Sequence, residues 1–273
     1  MVSSISRTLQ DSFITWDSFI DTMNNDKEAL AALRSAAKAG DKAAQCNLGL
    51  VYELGLGGVK PDDCKAFRIF QVAAEKGNLA AQCNLADMYA RGLGVKCDAR
   101  KAVQLFQLAA EKGSPEAQCN LGVMYAQGRG VERNEQEAAR FYRLAAEKGS
   151  PEAQCNLGVM YEQGLGVEHN EQEALRLYRL AAEKGSPEAQ CNLAGMYARG
   201  HGVARNDSEA TWRYRIAAQK GSPVAQYNLG VMYAQGRGVP RDDQIAIHWV
   251  CLSANKGNKM AIDFLLHHFT VKN

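Results

Sequence analysis

No stretch of this chain stays apolar for the 18 or so residues that a helix needs to cross a bilayer, so no membrane span is expected. Charge of one sign is lacking too. The 32 Lys and Arg face 30 Asp and Glu, net +2, and no long basic run occurs. Nothing here attracts nucleic acid or an anionic lipid surface. Met1 to Gln10 carry one Arg and no apolar stretch of the kind found in a secretory leader, so no signal peptide is expected. The five histidines His169, His201, His248, His267 and His268 share no common position, and no Ser-His-Asp or Cys-His set can be assembled. Surface or capping roles are expected for them. The expectation is a protein without catalytic function, cofactor or metal.

What the chain has is self-similarity, which organises everything else. Residues 109–144 and 145–180 differ at five of 36 positions. The same frame runs through Gly77, Gly113, Gly149, Gly185, Gly221 and Gly257, and the first repeat carries one extra residue in Gly55-Leu56-Gly57-Gly58. Apolar residues make up 46% of the chain, enough for a sizeable core.

Each repeat reads as two helices. Ser114, Ser150, Ser186 and Ser222 each precede a proline, and Ser at N-cap with Pro at N1 is a strong helix start. Helix A then places Ala117, Leu121, Met124 and Tyr125 on one stripe. Gln127-Gly128-Arg129-Gly130-Val131 supplies a reversal. Helix B opens at Asn134 with Glu137 three residues on, a capping-box pattern repeated at Asn170 and Asn206, while Asp62, Asp98 and Asp242 fill the same cap column. Helix B buries Ala138, Phe141 or Tyr142, Ala145 and Ala146, and stops at Gly149. A column of small residues, Gly49, Ala86, Gly122, Gly158, Ala194 and Gly230, lets the two helices approach closely. Trp212 and Trp249 fall at core-like places in helix B. The GxG loops lack a preceding strand and read as turns rather than phosphate loops.

The flanks read as caps. Asn25 with Glu28 repeats the helix B start, and before it Leu9, Phe13, Trp16, Phe19, Ile20 and Met23 form an apolar stripe. Lys259 to Thr270 reads as a last helix A, in which Asp263 replaces the Cys column. The expected organisation is capping helices over 1–39, six repeats over 40–257 and a capping helix over 258–273. A single domain of about 15 helices follows.

Five of the eight cysteines, Cys46, Cys83, Cys119, Cys155 and Cys191, recur at one place in successive repeats. Equivalent sites on stacked helices lie roughly 8–10 Å apart, beyond the ~7 Å that a disulfide spans between Cα atoms. Free thiols and a reducing compartment, the cytoplasm, are expected. The same spacing spreads the thiols too far for a metal site. Of the irregular ones, Cys64, Cys97 and Cys251, the last is expected in the core.

The pattern A-x-x-x-L-G-x-x-Y-x-x-G-x-G-V, then N-x-x-E-A and A-A-x-x-G, resembles the Sel1-like repeat family, a relative of the tetratricopeptide repeat. Ala117, Leu121, Gly122, Tyr125, Gly128, Gly130, Val131, Ala138, Ala145, Ala146 and Gly149 carry it in one repeat. The resemblance implies an all-α, right-handed α/α solenoid with A helices lining a concave face. It also implies an adaptor role in complexes, signalling or host–microbe contact. A secreted branch of the family links helix B to the next helix A by a disulfide. Its columns here would be Ala110 with Gln118, Ala146 with Gln154 and Ala182 with Gln190, and none holds a cysteine.

Asn47, Asn84, Asn120, Asn156, Asn192 and Asn228 precede the core Leu of every helix A. Asn is a mediocre residue inside a helix. Six in register read either as a ladder that pairs with a peptide backbone or as bonds between neighbouring helices. Similar repeats, including clamp-type tetratricopeptide domains, bind peptides from this position. Glu116, Glu152, Glu188, Val123 and Val159 share the face and would tune specificity. The expected function is a monomeric scaffold for a protein or peptide partner. An immunity or inhibitor protein that wraps a toxin, and a host-interaction protein, are the alternatives.

Overall fold

The computed structural model describes residues 16–269, so Leu9 and Phe13 of the N-terminal stripe lie outside the described residues. Among the described residues there are helices and no strand. Two helices lead, α1 (Trp16–Asn25) and α2 (Lys27–Lys38). Repeats of A and B helices follow: α3 (Lys42–Leu54), α4 (Asp63–Glu75), α5 (Leu79–Arg91), α6 (Ala99–Glu111), α7 (Pro115–Gln127), α8 (Glu135–Glu147), α9 (Pro151–Gln163), α10 (Glu171–Glu183), α11 (Pro187–Arg199), α12 (Asp207–Gln219), α13 (Pro223–Gln235) and α14 (Asp243–Asn255). The last is α15 (Lys259–Phe269), and Thr270, where the last helix is expected to end, lies outside the described residues.

The chain divides into two compact units, residues 1–148 and 149–273. Within each, a helix packs mainly on its neighbours in the chain, as in an α/α solenoid. The first unit has a continuous core that runs from Phe19, Met23 and Leu30 through Leu50, Phe70, Met88 and Phe106 to Leu121 and Met124. In the second, Tyr178, Leu193 and Met196 centre one cluster and Tyr214, Leu229 and Met232 another.

Local chemistry explains the helix ends. The Ser114 hydroxyl accepts from Ala117 N–H at 3.2 Å, and Pro115 takes the first helical position. Helix B ends in a Schellman motif: Gly113 N–H bonds Ala110 O and Ser114 N–H bonds Ala109 O. Between the two helices of repeat 3, Asn134 N–H donates to Tyr125 O at 3.0 Å, which fixes where helix B begins.

Several expectations need correction. The capping box is only half made: Asn134 Oδ1 accepts from Glu137 N–H, but the Glu137 carboxylate turns to Arg140. The start of α2 is capped by Asp26, not Asn25, because the Asp26 carboxylate reaches two backbone N–H groups, of Glu28 and Ala29. Trp212 is 50% exposed instead of buried, since Thr211 and Tyr214 take the inward positions of α12. Cys251 is half-buried.

The small-residue column is where A and B helices touch. A Cβ on Gly122 would lie 2.5 Å from the Tyr142 ring, and one on Gly158 2.7 Å from Tyr178. The second loop glycine, Gly130 at φ +74°, has a further role: it rests against the backbone of Ala99 at the start of the preceding B helix, where a Cβ would sit 2.2 Å from the carbonyl oxygen.

Candidate functional site

The A helices carry the candidate residues. Positions 116, 120, 123 and 127 are spaced by four, three and four, so they share one face of α7; the other A helices repeat the set. In the second unit this face is partly open. Asn156, Asn192, Asn228, Val159 and Val231 are half-buried, and Glu152, Glu188 and Val224 are exposed. In the first unit it is closed. Asn47, Asn84 and Asn120 are only 7%, 2% and 1% exposed, Val123 is buried, and Glu116 is half-buried.

The asparagines reach the thiol of the preceding repeat. Asn84 Nδ2 donates to Cys46 Sγ at 3.6 Å, and Asn192 Nδ2 to Cys155 Sγ at 3.5 Å. The Asn228 amide faces the Cys191 thiol in the next pair of the column and favours its thiolate slightly. Two positions break the pattern. The Nδ2 atoms of Asn120 and Asn156 are buried without a hydrogen-bond partner. Beside Asn120, the Cys83 thiol lies 3.6 Å from the Ser114 hydroxyl. The column thus joins A helix to A helix at some repeats and leaves an amide donor unused at others.

Burial makes three of the column thiols poor nucleophiles. Burial pushes Cys46, Cys155 and Cys191 up to about 12, although the amides of Asn84, Asn192 and Asn228 favour the thiolate slightly. All eight cysteines are free. Among the described residues, no group of three or more His, Cys, Asp or Glu could hold a metal ion.

Two columns that the repeat pattern displays, but whose role was not read from it, hold the helices in place. Gln118 Nε2 donates to Ala110 O at 3.2 Å, and Gln190 Nε2 to Ala182 O at 3.1 Å; Gln45, Gln82 and Gln226 do the same. These are the columns that carry the disulfide in the secreted branch of the resembling family. Here an amide–carbonyl bond joins helix B to the next helix A. Lys148, Lys184, Lys220 and Lys256 each donate Nζ to the carbonyl of a glycine 35 residues earlier, at 2.6–2.7 Å. A lysine on the glycine that ends the preceding B helix neutralises the negative end of its dipole. A sequence signal existed, in strict recurrence, but recurrence alone does not separate stacking contacts from a binding face.

Comparison with known proteins agrees with this geometry. A family profile described as Sel1 repeat matches residues 42–78, 79–114, 115–150, 151–186, 187–222 and 223–258. Among solved structures, c5321, a protective antigen of uropathogenic Escherichia coli with an SLR fold, is 36% identical with a TM-score of 0.72. The match covers 89% of this chain and 52% of c5321, so the chain spans about half that protein's length. A Sel1 repeat protein from Oxalobacter formigenes is 29% identical over 84% of this chain and 97% of its own, TM-score 0.72. The immunity protein Pa5087 from Pseudomonas aeruginosa, 22% identical over 79% of this chain and 82% of its own, TM-score 0.55, shares the fold. A search of curated proteins gave no match. Six consecutive profile matches over most of its length place this chain in the Sel1 repeat family.

Proposed function

We propose that the chain binds a protein or peptide partner on the A-helix face of repeats 4–6. The observation that carries this reading is the openness of that face together with its chemistry. Val159, Val231 and Val224 offer apolar area, Glu152 and Glu188 offer charge at the margin, and Asn156 holds a donor without a partner. An unused buried amide donor costs about 1–3 kcal/mol, which a partner's carbonyl would recover once the Asn156 side chain turns outward to meet it. Neighbouring A helices about 8–10 Å apart bring one Asn to roughly every third residue of an extended chain. A partner is then recognised through its backbone, with side-chain preference set by the valines and glutamates. The exposed acids favour a partner with a basic or neutral contact surface over an acidic one.

Binding rather than catalysis suits the buried thiols of Cys46, Cys155 and Cys191, which burial keeps protonated. The free cysteines support a reducing compartment, the cytoplasm. No helix among the described residues is long and apolar enough to cross a membrane. The role is that of a scaffold or adaptor.

The test is capture of interacting proteins on the immobilised full chain, followed by calorimetry with the purified partner. Val159→Asp with Val231→Asp is expected to weaken binding at least tenfold, about 1.4 kcal/mol, with the thermal midpoint held. Unchanged affinity in that variant sinks the reading.

A further inference from the structure

Two A helices of this chain carry almost the same text. Residues 82–91 of α5 read QCNLADMYAR, residues 190–199 of α11 read QCNLAGMYAR, and they differ only at Asp87 and Gly195. That position belongs to the A-helix face. In α5, Asp87 is 2% exposed and its Oδ2 accepts from Arg91 Nη1 at 3.0 Å, one turn further on. Repeat 2 therefore supplies its own carboxylate to its own arginine. In α11 the matching cation, Arg199, meets a glycine at that place. Glycine is a poor residue inside a helix, and the flanking repeats fill the column with Val159 and Val231. What Gly195 provides is room. A Cβ on it would lie 3.2 Å from Arg199 Nη1 and 3.3 Å from Nη2, so the guanidinium lies over bare backbone on the face. Two of its nitrogens are engaged: Nη2 donates to Glu162 at 2.9 Å, and Nε to His201 Nδ1 at 3.3 Å. Nη1, the nitrogen that Arg91 gives to Asp87, makes no hydrogen bond among the described residues.

We propose that Arg199 anchors a carboxylate of the partner, which enters over Gly195 and takes on Arg199 the place that Asp87 takes on Arg91. The carboxylate is an Asp or Glu side chain or a chain terminus. The Arg199 side chain is half exposed, so the group can reach it. A guanidinium is a planar fork that can hold one carboxylate at each of two edges, so Glu162 need not be displaced. The same column holds Gln163 and Gln235 in the flanking repeats, which leaves Arg199 as its cation in repeats 4–6. Val159 and Val231 flank the site with apolar area, and an ion pair is stronger once such surface excludes water from it. Glu188 lies eleven residues earlier on α11, about 16 Å along the helix. The partner thus meets acid at one margin of the face and a cation at the other. Its contact surface stays basic or neutral as a whole, with one acidic group placed at the Arg199 end.

The inference rests on the proposed partner face, and its test separates the two. Random peptides of about twelve residues, in one library amidated at the C-terminus and in another with a free C-terminus, are passed over the immobilised full chain. Retained peptides are sequenced by mass spectrometry. Asp or Glu fixed at one position in both libraries identifies a side chain as the ligand, and retention confined to the free library identifies the terminus. A retained peptide is then measured by calorimetry. Gly195→Asp and Arg199→Gln are each expected to weaken it roughly tenfold or more. Gly195→Asp should keep its thermal midpoint, since α5 folds with Asp at this place. Neutralising the peptide's carboxylate should weaken binding to the unaltered chain by a similar factor and to Arg199→Gln by less than about twofold. Peptides that lose affinity in Val159→Asp with Val231→Asp but bind Gly195→Asp and Arg199→Gln unchanged overturn this inference and leave the partner face standing. Retention of no peptide, or of peptides indifferent to the valine substitutions, overturns both.

Discussion

The side-chain amide of Asn192 donates to the thiol of Cys155 across 3.5 Å, bridging 37 residues of sequence. At Asn156, in the equivalent place one repeat earlier, the amide nitrogen has no partner. Two residues in one column therefore have different energetic standing. Asn192→Ala removes a bond between A helices and is expected to lower stability by about 1 kcal/mol. Asn156→Ala removes a donor that is not in use, and alanine is the better helix former. It is expected to leave stability unchanged or to raise it by up to about 1–2 kcal/mol, because the desolvation cost of the unused donor goes with it. Urea melts of the two variants check the contrast, and equal losses would make the column purely architectural.

The buried thiols give a second expectation. A thiol raised from about 9 to about 12 is almost wholly protonated at pH 8. Since the folded value lies above the ordinary one, burial of the neutral thiol contributes its full stability below about pH 9. That contribution is lost as pH rises toward 12. At pH 8, Cys64 and Cys97, which are exposed, should alkylate at least about 100-fold faster than Cys46, Cys155 and Cys191. Peptide-resolved labelling with iodoacetamide measures this directly. Rapid labelling of a column thiol would show a reactive cysteine that the burial does not predict.

The helices and their ends were legible because their chemistry is local. Ser114 caps an N–H three residues ahead, and Gly113 closes the Schellman turn of the helix it ends. Such contacts are written in neighbouring letters. Even the pairing of A with B helix showed in the sequence, as a small residue at 122 opposite a ring at 142. The face of the array was not legible. Asn120 and Asn156 stand in the same stretch of sequence, QCNLGVMY, and end in different surroundings. Their different burial is a property of the packed array, which no periodicity encodes. Gln118 illustrates the same limit: its column recurs in every repeat, but only geometry shows its Nε2 on the Ala110 carbonyl.

Asp207 provides a pH-dependent contact in the second unit. Its carboxylate accepts from Arg237 and from Arg205, each at 2.7 Å, and these two guanidinium groups hold its pKa at about 2. The folded value lies below the ordinary 3.8. Its stabilisation is therefore complete above about pH 4 and lost as pH falls through 2. The site is largely solvated, which reduces the gain to about 1 kcal/mol. Asp207→Asn should cost that amount at pH 7 and only a small fraction of it at pH 2. Chemical denaturation at the two pH values decides it, and a pH-independent difference would assign the loss to packing instead.

Steric constraint separates two kinds of glycine. Gly158 is helical, and a Cβ there would approach the edge of the Tyr178 ring at 2.7 Å. The same column holds Ala86 and Ala194, both fully buried, so a methyl group can be accommodated when the facing ring shifts slightly. Alanine also gains helix propensity over glycine, by roughly 1 kcal/mol. These effects oppose each other, and Gly158→Ala is expected to change stability by less than about 1 kcal/mol. Gly158→Leu has no such accommodation and should cost about 3 kcal/mol. Gly130 differs in kind. Its φ of +74° strains any L side chain, and its Cβ would press on the Ala99 backbone, which cannot rotate away as a ring can. Gly130→Ala should therefore cost about 2 kcal/mol or more, although it adds the same single methyl as Gly158→Ala. Thermal melts of the three variants test the order. If Gly130→Ala proved as mild as Gly158→Ala, the loop would have to sit farther from the preceding B helix than the structure places it.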